Sequence, residues 1–375
     1  MNNKVAIITR HAIPNYGSFF QAFSTEKVLS QLGYGSEIID YRRMDETADY
    51  LIKYYCKRTP GLIRWFYYNI FWRISSYLRG RVFFYAGKKY LNVSPLYNKN
   101  TISKIRNKYD IFLTGSDQVW NVVGSGDSAE IDGIYFWDFL DREKYIISYA
   151  ASFGDNSLFS ADQGKIIDWL SKYNAISVRE DSGVSLIDSL GFSATQVLDP
   201  TLVLERESWI SLASSVRKRR KPYLLVYNLH SNTDMNGVVK RYSDEMGLKV
   251  VNIISTFRFL PGENVFCPSV EQFLNLFMNA EFIIADSFHA IAFAIIFKVP
   301  FCVKLPKKFS TRLESILRMF NLTSRIIYEN SSADVIQGKI DWDNVYDILE
   351  KEKIKSIEWL KKALYGGRPM YGNCL

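Results

Sequence analysis

The side chains best suited to chemistry lie together at Asp286, Ser287 and His289, where an apolar segment ends. Residues 282–285 predict a short buried strand, and residues 290–298 predict an apolar helix. In open α/β sheets, ligands bind at the carboxyl ends of strands, and the free N–H groups at a helix start attract anions. Ser287 is placed to cap that helix, with His289 in its first turn. The alternative is a packed or solvated histidine, because such positions also occur in purely structural settings.

Strand-like and helix-like segments alternate along both halves of the chain. The predicted strands cover residues 5–9, 37–41, 110–114, 145–150, 175–179, 195–198, 223–229, 249–254, 281–285, 301–305 and 325–328. The predicted helices cover residues 19–32, 160–172, 181–190, 236–246, 270–278, 291–297, 312–320 and 344–364. This alternation predicts an α/β protein with two Rossmann-like doubly wound domains and a cleft between them. The first turn lacks Gly-x-Gly-x-x-Gly, so a dinucleotide is not indicated.

The predicted domain limits follow from changes in composition. An N-terminal Rossmann-like domain covers residues 1–204 and carries an insert at 50–109, and a polar linker covers 205–222. The C-terminal Rossmann-like domain covers 223–343, and a final helix and tail cover 344–375. With 375 residues and 47% hydrophobic content, the chain can bury two cores.

Composition also narrows the compartment and the cofactors. The first residues run directly into a strand, and no apolar run reaches the roughly 18 residues of a spanning helix, so we expect a cytoplasmic protein. The four cysteines, at 56, 267, 302 and 374, are scattered without a Cys-x-x-Cys pair. This spacing is typical of reduced thiols and argues against a disulfide framework or a zinc site.

The net charge of +8 is concentrated in one segment. Residues 50–109 contain 13 Lys and Arg, no Asp or Glu, and about 16 aromatic residues, whereas the remainder carries 34 basic and 39 acidic residues. One interpretation is a helical insert whose aromatics pack on the first domain. Another is peripheral contact of residues 50–90 with an anionic membrane at the inner face of the cell membrane, with Trp65 and Trp72 at the headgroup level. No groove-reading motif supports nucleic acid as the partner.

Six short segments in this order resemble the polysaccharide pyruvyl transferase family. They are Asn-Tyr-Gly-Ser-Phe-Phe-Gln-Ala from 15, Gly-Ser-Asp-Gln-Val-Trp-Asn from 115, Ile-Ser-Tyr-Ala-Ala-Ser-Phe-Gly from 147, Ile-Ser-Val-Arg-Glu from 176, Val-Leu-Asp-Pro-Thr from 197 and Asp-Ser-Phe-His from 286. The resemblance implies a fold like that of the GT-B glycosyltransferases. It also implies transfer of pyruvyl from phosphoenolpyruvate to sugar hydroxyls, giving a pyruvate ketal on a surface polysaccharide or a lipid-linked glycan. Phosphoenolpyruvate would be the donor substrate, with no metal and no other cofactor.

The resemblance also suggests roles for individual residues. His289 and Arg179 would be the catalytic pair, since His changes protonation near neutral pH and Arg suits a forked contact to phosphate or carboxylate. The expected donor-binding residues are Ser287, Arg312, Asn15 and Gly17, and the expected acceptor-binding residues are Asp117, Gln118, Trp120 and Asn121. Each has a structural alternative: a surface salt bridge for Arg179, a solvent-facing side chain for Arg312, turn chemistry for 15–17 and a fold-stabilising loop for 117–121. We expect His11 and His230 to be structural.

Two other function classes remain open on the sequence alone. A nucleotide-sugar-dependent GT-B glycosyltransferase is the alternative enzyme, and Glu263 and Glu271 have the spacing seen in some retaining members of that class. No Gly-rich turn accompanies the two glutamates, so we interpret them as surface charge. A binding protein without activity is the third class, and the presence of both Arg179 and His289 argues against it.

Overall fold

A computed structural model provides the structure of the protein. It describes residues 4–43, 61, 66, 68–121, 131–154, 163–217, 221–232, 235–256, 260–306, 310–328, 331 and 338–367. The sequence-based predictions for Trp65 and for most of residues 44–67 lie outside these residues.

The first half of the chain forms a seven-stranded parallel sheet. Its strands are β1 (Lys4–Ile8), β2 (Gly35–Tyr41), β3 (Val93–Tyr97), β4 (Ile111–Thr114), β5 (Tyr145–Ala151), β6 (Ala175–Val178) and β7 (Thr195–Gln196). Their order in the sheet is β3-β2-β1-β4-β5-β6-β7, and every pair is parallel. Six of these strands repeat the order of a Rossmann sheet, in which the switch point lies between β1 and β4.

The second half forms a five-stranded parallel sheet with the same winding. Its strands are β8 (Tyr223–Tyr227), β9 (Lys249–Ile254), β10 (Glu263–Phe266), β11 (Phe282–Ala285) and β12 (Phe301–Val303). They are ordered β10-β9-β8-β11-β12 and all pairs are parallel. The strand order therefore reverses next to the first strand, so this sheet also has its switch point there, between β8 and β11. The central strands β4, β8 and β11 are buried along their whole length because helices cover both faces, which explains their continuous apolar sequence.

Eleven α-helices in the described part of the chain surround the two sheets. They are α1 (Tyr16–Gln31), α2 (Arg73–Tyr90), α3 (Gln163–Leu170), α4 (Asp181–Ser189), α5 (Pro200–Val203), α6 (Arg206–Ala213), α7 (Met235–Met246), α8 (Val270–Met278), α9 (Phe288–Phe297), α10 (Thr311–Met319) and α11 (Trp342–Gly366). One predicted strand is wrong. Residues 323–325 form a 3-10 helix, and beyond it only Ile326 forms a single bridge, to Val303 of β12.

Aromatic side chains join the two halves. Tyr16 at the start of α1 stacks on Phe273 of α8 with ring centroids 4.1 Å apart, and its hydroxyl donates to the carbonyl of Pro268 at 2.5 Å. The predicted linker at 205–222 includes α6, whose buried Trp209 packs against Phe20 and Phe293. These contacts hold the two sheets so that the β1–α1 and β11–α9 turns face each other.

Helix α2, in the basic aromatic insert, has a buried face and an exposed face. Ser75, Phe83 and Ala86 are buried, and Phe83 packs edge-on against Tyr16 at 4.9 Å. On the other face, Tyr77, Phe84 and Tyr85 are 65%, 54% and 57% exposed. Helix α2 therefore packs on the first domain with one side and exposes aromatic rings to solvent on the other.

Candidate active site

A cavity of about 230 Å³ lies where the carboxyl ends of the two sheets face each other. Both halves of the chain contribute to its wall. The lining residues are Arg10, Ile13, Asn15, Ser18, Asp117, Gln118, Leu229, His230, Ser287, Phe288, His289 and Arg312. We call this space the donor cavity.

Three helices begin at the donor cavity. The Asn15 side chain is the N-cap of α1 and accepts from the N–H of Gly17 at 2.8 Å and that of Ser18 at 3.4 Å. Ser287 occupies the N-cap position of α9, but its hydroxyl does not cap the helix, contrary to the sequence-based expectation. Arg312 lies in the first turn of α10. Since each helix start carries a partial positive charge, their convergence favours an anion.

His289 lies in the first turn of α9, as the sequence predicts, and its side chain is 9% exposed. Its Nε2 lies 3.7 Å from Asp199 Oδ2 and has no hydrogen-bond partner among the described residues. Burial lowers the pKa of His289 to about 4; the Asp199 carboxylate opposes this, and the Arg179 charge adds to it. The imidazole is therefore neutral near pH 7 in the unliganded protein.

Gly17 makes room for the His289 ring. A Cβ at residue 17 would lie 2.7 Å from Cε1 and 2.8 Å from Cγ of His289, and closer still to Nδ1. Any side chain at 17 would therefore displace the imidazole. Gly17 therefore contributes to the site by leaving the space that the His289 ring, from the other half of the chain, occupies against the first turn of α1.

Asp199, which follows β7, lies at the centre of the charges behind the cavity. Its Oδ2 accepts from Arg179 Nη1 at 2.7 Å and Ser116 Oγ at 2.8 Å, and its Oδ1 accepts from Thr201 Oγ1 at 2.6 Å. Burial would raise the pKa of Asp199, but the charges of His289 and Arg179 and the bonds from Thr201 lower it overall. Asp199 is therefore a buried carboxylate that accepts a hydrogen bond from Arg179 and lies close to His289, the two predicted catalytic residues.

Arg179 is buried behind the cavity and does not line it. Its guanidinium carbon lies 4.5 Å from the centre of the Phe288 ring, and its Nε lies 3.8 Å from Glu180 Oε2. The surface salt bridge considered as an alternative is wrong, because both Arg179 and Glu180 have side chains only 2% exposed. Arg179 therefore acts on the cavity indirectly, through its contacts with Asp199 and Phe288.

Arg312 and Gln118 form the opposite wall of the donor cavity. In the amide orientation that satisfies both groups, the Gln118 oxygen accepts from Arg312 Nη1 at 3.1 Å and Nε at 3.2 Å. Burial, with the nearby positive charge of Arg179, lowers the pKa of Arg312 to about 10. The guanidinium thus remains charged near pH 7 and points to the cavity rather than to solvent.

Asp117 has the left-handed backbone conformation, with φ +79°, and its side chain is fixed by Ser18 Oγ, which donates to Oδ2 at 2.5 Å. Burial would raise the pKa of Asp117, but the charges of Arg179, Arg10 and His289 lower it to about 2. A non-glycine residue with positive φ is uncommon, and such positions concentrate at functional sites.

The four residues predicted to bind the acceptor do not line one common surface. Asp117 and Gln118 line the donor cavity. The prediction for Trp120 is wrong: its side chain is fully buried, stacks on Phe136 at 4.9 Å and contacts Phe153, so no ring face is left for a sugar. The Asn121 amide nitrogen lies 3.1 Å from the Gln118 side chain, outside the cavity wall.

Three residues of this site were missed or misjudged from the sequence. In the sequence, Asp199 stands out only as part of a short motif. It directly follows the predicted strand 195–198, however, and a polar residue after a strand is the same signal that marks His289. His230 was expected to be structural, yet it lines the donor cavity, with Nδ1 3.4 Å from Asp286 Oδ2. Arg10, which follows β1, also lines the cavity.

Asp286 supports the site from below. Its side chain accepts from the backbone N–H groups of Leu229 at 2.7 Å and His230 at 3.0 Å, which ties the turn after β8 to the turn after β11. Within the described residues, no group of three or more His, Cys, Asp or Glu side chains is arranged to hold a metal ion. No described helix is both long and apolar enough to cross a membrane.

Comparisons with known proteins place this geometry in context. A model of the family described as polysaccharide pyruvyl transferase matches residues 15–304. Spinosyn forosaminyltransferase has a TM-score of 0.50 and 10% identity, over 98% of this chain and 99% of that one. The UDP-GlcNAc 2-epimerase of Neisseria meningitidis, in a structure with bound UDP-GlcNAc, has a TM-score of 0.51 and 8% identity, over 97% and 99%. These likenesses show a GT-B-like fold. No curated protein matches the chain.

Proposed function

The chain belongs to the polysaccharide pyruvyl transferase family, and from this premise we propose that it transfers the pyruvyl group of phosphoenolpyruvate to a sugar of a surface polysaccharide or lipid-linked glycan. The product is a pyruvate ketal that bridges two hydroxyl groups of that sugar. The observation that carries the proposal is the convergence of three helix starts, Arg312 and His289 on one small cavity.

The donor cavity suits a compact dianion. Phosphoenolpyruvate carries a phosphate and a carboxylate on three carbon atoms, and a space of about 230 Å³ is of the right order for one such molecule. Arg312 and Arg10 supply positive charge to the wall, and the start of α9, which the Ser287 side chain does not cap, supplies N–H groups. In this proposal the donor is held by these groups without a metal ion.

The reaction requires proton transfer in both directions. Protonation of the donor at C3 makes C2 electrophilic, and a sugar hydroxyl attacks C2 and loses its proton. Inorganic phosphate leaves, and a second hydroxyl of the same sugar closes the ketal at C2. One hydroxyl proton replaces the proton given to C3, and the other leaves with the phosphate. A group that accepts and returns a proton at the cavity is therefore needed, together with cations that stabilise the leaving phosphate.

We assign the proton transfer to His289. The imidazole is neutral in the empty cavity, and a bound dianion beside it favours the protonated form. Asp199, 3.7 Å from Nε2, stabilises the resulting imidazolium. Arg179 acts as a positioning residue, since its bond to Asp199 and its contact with Phe288 hold the turn that carries His289.

Two glutamates that could suggest the glycosyltransferase alternative lie outside the donor cavity. Glu271 accepts hydrogen bonds from Lys89 at 2.9 Å and Tyr90 at 2.5 Å, so it joins α8 to α2. Glu263 is exposed at the start of edge strand β10. The likeness to glycosyltransferase structures concerns the fold, which glycosyltransferases and epimerases share, and it favours neither donor.

The exposed face of α2 supports a peripheral contact with the inner face of an anionic cell membrane, where lipid-linked acceptors would be presented. Arg81 lies over the rings of Tyr77 and Tyr85 at 5.9 and 5.6 Å, and Lys88 lies over Phe84 at 4.6 Å. Aromatic rings next to cations suit the boundary of headgroups and acyl chains, and each cation contributes on the order of 1 kcal/mol at an anionic surface.

Mass spectrometry of glycans tests the proposed function directly. Surface polysaccharides and lipid-linked oligosaccharides from cells with the gene should carry a pyruvyl ketal that is absent after its deletion. In parallel, purified protein should be stabilised by phosphoenolpyruvate and not by a panel of nucleotide sugars. Identical glycans in both strains, or stabilisation by a nucleotide sugar alone, would contradict the proposal.

A further inference from the structure

A second and larger cavity, of about 600 Å³, lies beside the donor cavity, next to the turn after β1, the end of β2 and the start of β3. Helix α2 forms its outer wall, with Phe83 and Phe84, and the sheet contributes Asp40, Arg42 and Ser94. We call this space the outer cavity. Its volume falls within the range typical of sites that bury a small ligand.

The two cavities share a wall formed by the turn between β1 and α1. Ile13 and Asn15 line the donor cavity, and Pro14 between them lines the outer cavity. A molecule in the outer cavity therefore lies next to the space where we place phosphoenolpyruvate, with the turn at Pro14 between them. No other role is assigned to the outer cavity by the function proposed above.

The polar side of the outer cavity is held rigidly. Arg42 donates to Asp40 through Nε at 2.9 Å and Nη2 at 2.8 Å, and His11 Nε2 lies 3.4 Å from Asp40 Oδ1. Burial would raise the pKa of Asp40, but the contacts with His11 and Arg42 lower it to about 2, so the carboxylate is ionised. A fixed carboxylate and a planar guanidinium provide acceptors and donors for neighbouring hydroxyl groups.

The apolar side is formed by a helix that leaves space open. Gly80 and Gly87 of α2 both line the cavity, and at either position a Cβ would meet nothing within 4 Å. Seven residues apart, they lie on the same face of the helix. A glycine inside a helix is less stable than an alanine, so the pair is unfavourable for α2 itself. Phe84 beside them offers an aromatic face.

We propose that the outer cavity binds the acceptor sugar, with its non-reacting hydroxyl groups toward Asp40 and Arg42, the C–H face of its ring against Phe84 and its two reacting hydroxyl groups toward Pro14 and the donor cavity. The combination of a charged hydrogen-bonding pair, an aromatic face and an open helix wall fits a saccharide, which has both hydroxyl groups and apolar C–H faces. The inference rests on the proposed pyruvyl transfer. It replaces the acceptor site expected around Trp120.

The position of α2 connects this site with the lipid. Phe84 lines the cavity and is also 54% exposed, on the same helix as Tyr77, Arg81 and Tyr85. A sugar attached to a lipid carrier would reach the outer cavity from the membrane side of α2. The two reacting hydroxyl groups would then meet C2 of the donor beside Pro14, where the two cavities adjoin.

Filling the outer cavity tests the proposal. Gly80→Leu and Gly87→Leu each place a side chain in the open space while raising helix propensity, so both variants should fold. Gly237→Leu is the control, because Gly237 is an exposed glycine of α7, outside the outer cavity, and like Gly80 and Gly87 has nothing within 4 Å of its Cβ position. Arg42→Ala, which removes a donor without filling the space, is a further variant.

Each protein is expressed in the deletion strain, and two quantities are measured: the pyruvyl ketal on the glycans and the stabilisation of purified protein by phosphoenolpyruvate. Both leucine variants at 80 and 87, and Arg42→Ala, should lower the ketal about tenfold or more while phosphoenolpyruvate still stabilises them. The Gly237→Leu control should match the wild type in both measurements.

Wild-type ketal levels in the Gly80→Leu and Gly87→Leu strains would overturn the acceptor assignment alone. A wild-type protein that makes no ketal and is not stabilised by phosphoenolpyruvate would instead overturn the proposed function, and the assignment with it. Loss of stabilisation by phosphoenolpyruvate in all three variants would also overturn the assignment, because the outer cavity would then not act separately from the donor cavity.

Discussion

His289 should remain neutral down to about pH 4 in the free protein, and phosphoenolpyruvate should reverse this. An exposed histidine has a pKa near 6.5, so the difference is roughly 2.5 units, or about 3 kcal/mol in favour of the neutral imidazole. Burial is the largest cause, and the Arg179 charge adds to it while Asp199 opposes it. A single negative charge about 4 Å away contributes about 4 kcal/mol at an effective dielectric constant of about 20. A bound donor therefore suffices to return the pKa to the neutral range or above.

Carbon-13 NMR of histidine-labelled protein measures this directly. The chain has three histidines, so three Cε1 resonances are expected, and the one lost in His289→Gln identifies His289. Without ligand that resonance should keep the neutral shift between pH 7 and about pH 5. With saturating phosphoenolpyruvate it should move toward the protonated shift near neutral pH. Titration near pH 6.5 in the free protein, or no response to the donor, would refute the reasoning.

The same shift has a consequence for stability, with a definite sign. The pKa of His289 is lower in the folded state, so between about pH 4 and 6.5 the unfolded chain binds more protons, and stability decreases as the pH falls through this window. Glu26 acts in the opposite direction, since burial raises its pKa to about 7. Comparison of wild type with His289→Gln isolates the histidine, and the gap in unfolding free energy should change by about 2 kcal/mol between pH 7 and 5.

Further predictions concern catalysis, metal dependence and the membrane. His289→Ala and Arg179→Ala should each lower turnover by about 10²–10³-fold in a folded protein, and near wild-type rates would contradict the assigned roles. Phosphoenolpyruvate should raise the melting temperature of EDTA-treated protein, whereas a shift that returns only with divalent metal would refute the metal-free site. In liposome co-sedimentation, binding should need anionic lipid and weaken with salt. It should fall in the double variant Arg73→Gln, Arg81→Gln, but not in the control variant Lys361→Gln, Lys362→Gln. Equal binding by both double variants would leave α2 without a membrane role.

Much of the fold could be predicted because the central strands are continuous apolar segments. Residues 282–285 are buried on both faces, and such a strand followed directly by polar residues locates both the sheet and its functional edge. The same signal placed His289 in the first turn of a helix, which the structure confirms. It failed at residues 325–328, where the chain turns through a 3-10 helix and only Ile326 pairs with β12.

The rest of the site depended on partners that are remote in sequence. Trp120 lies in a polar motif that is typical of an exposed loop, and its burial is decided by Phe136 and Phe153. The pairing of Asp199 with Arg179 and His289 likewise joins three separate turns. Local sequence indicates which side chains follow strands, but not which of them meet, because that depends on how the two sheets dock.

The contact between Gly17 and His289 makes the two halves mutually dependent for the proposed activity. The imidazole comes from one sheet and the space that receives it from the other, so neither half expressed alone contains the arrangement in which we propose that His289 transfers protons. The same contact makes the site sensitive to how the sheets dock, because the ring would collide with α1 if they lay closer together and would move away from Asp199 if they lay further apart. During divergence of the sequence, position 17 can accept a side chain only together with a change at position 289, so the two are expected to vary as a pair.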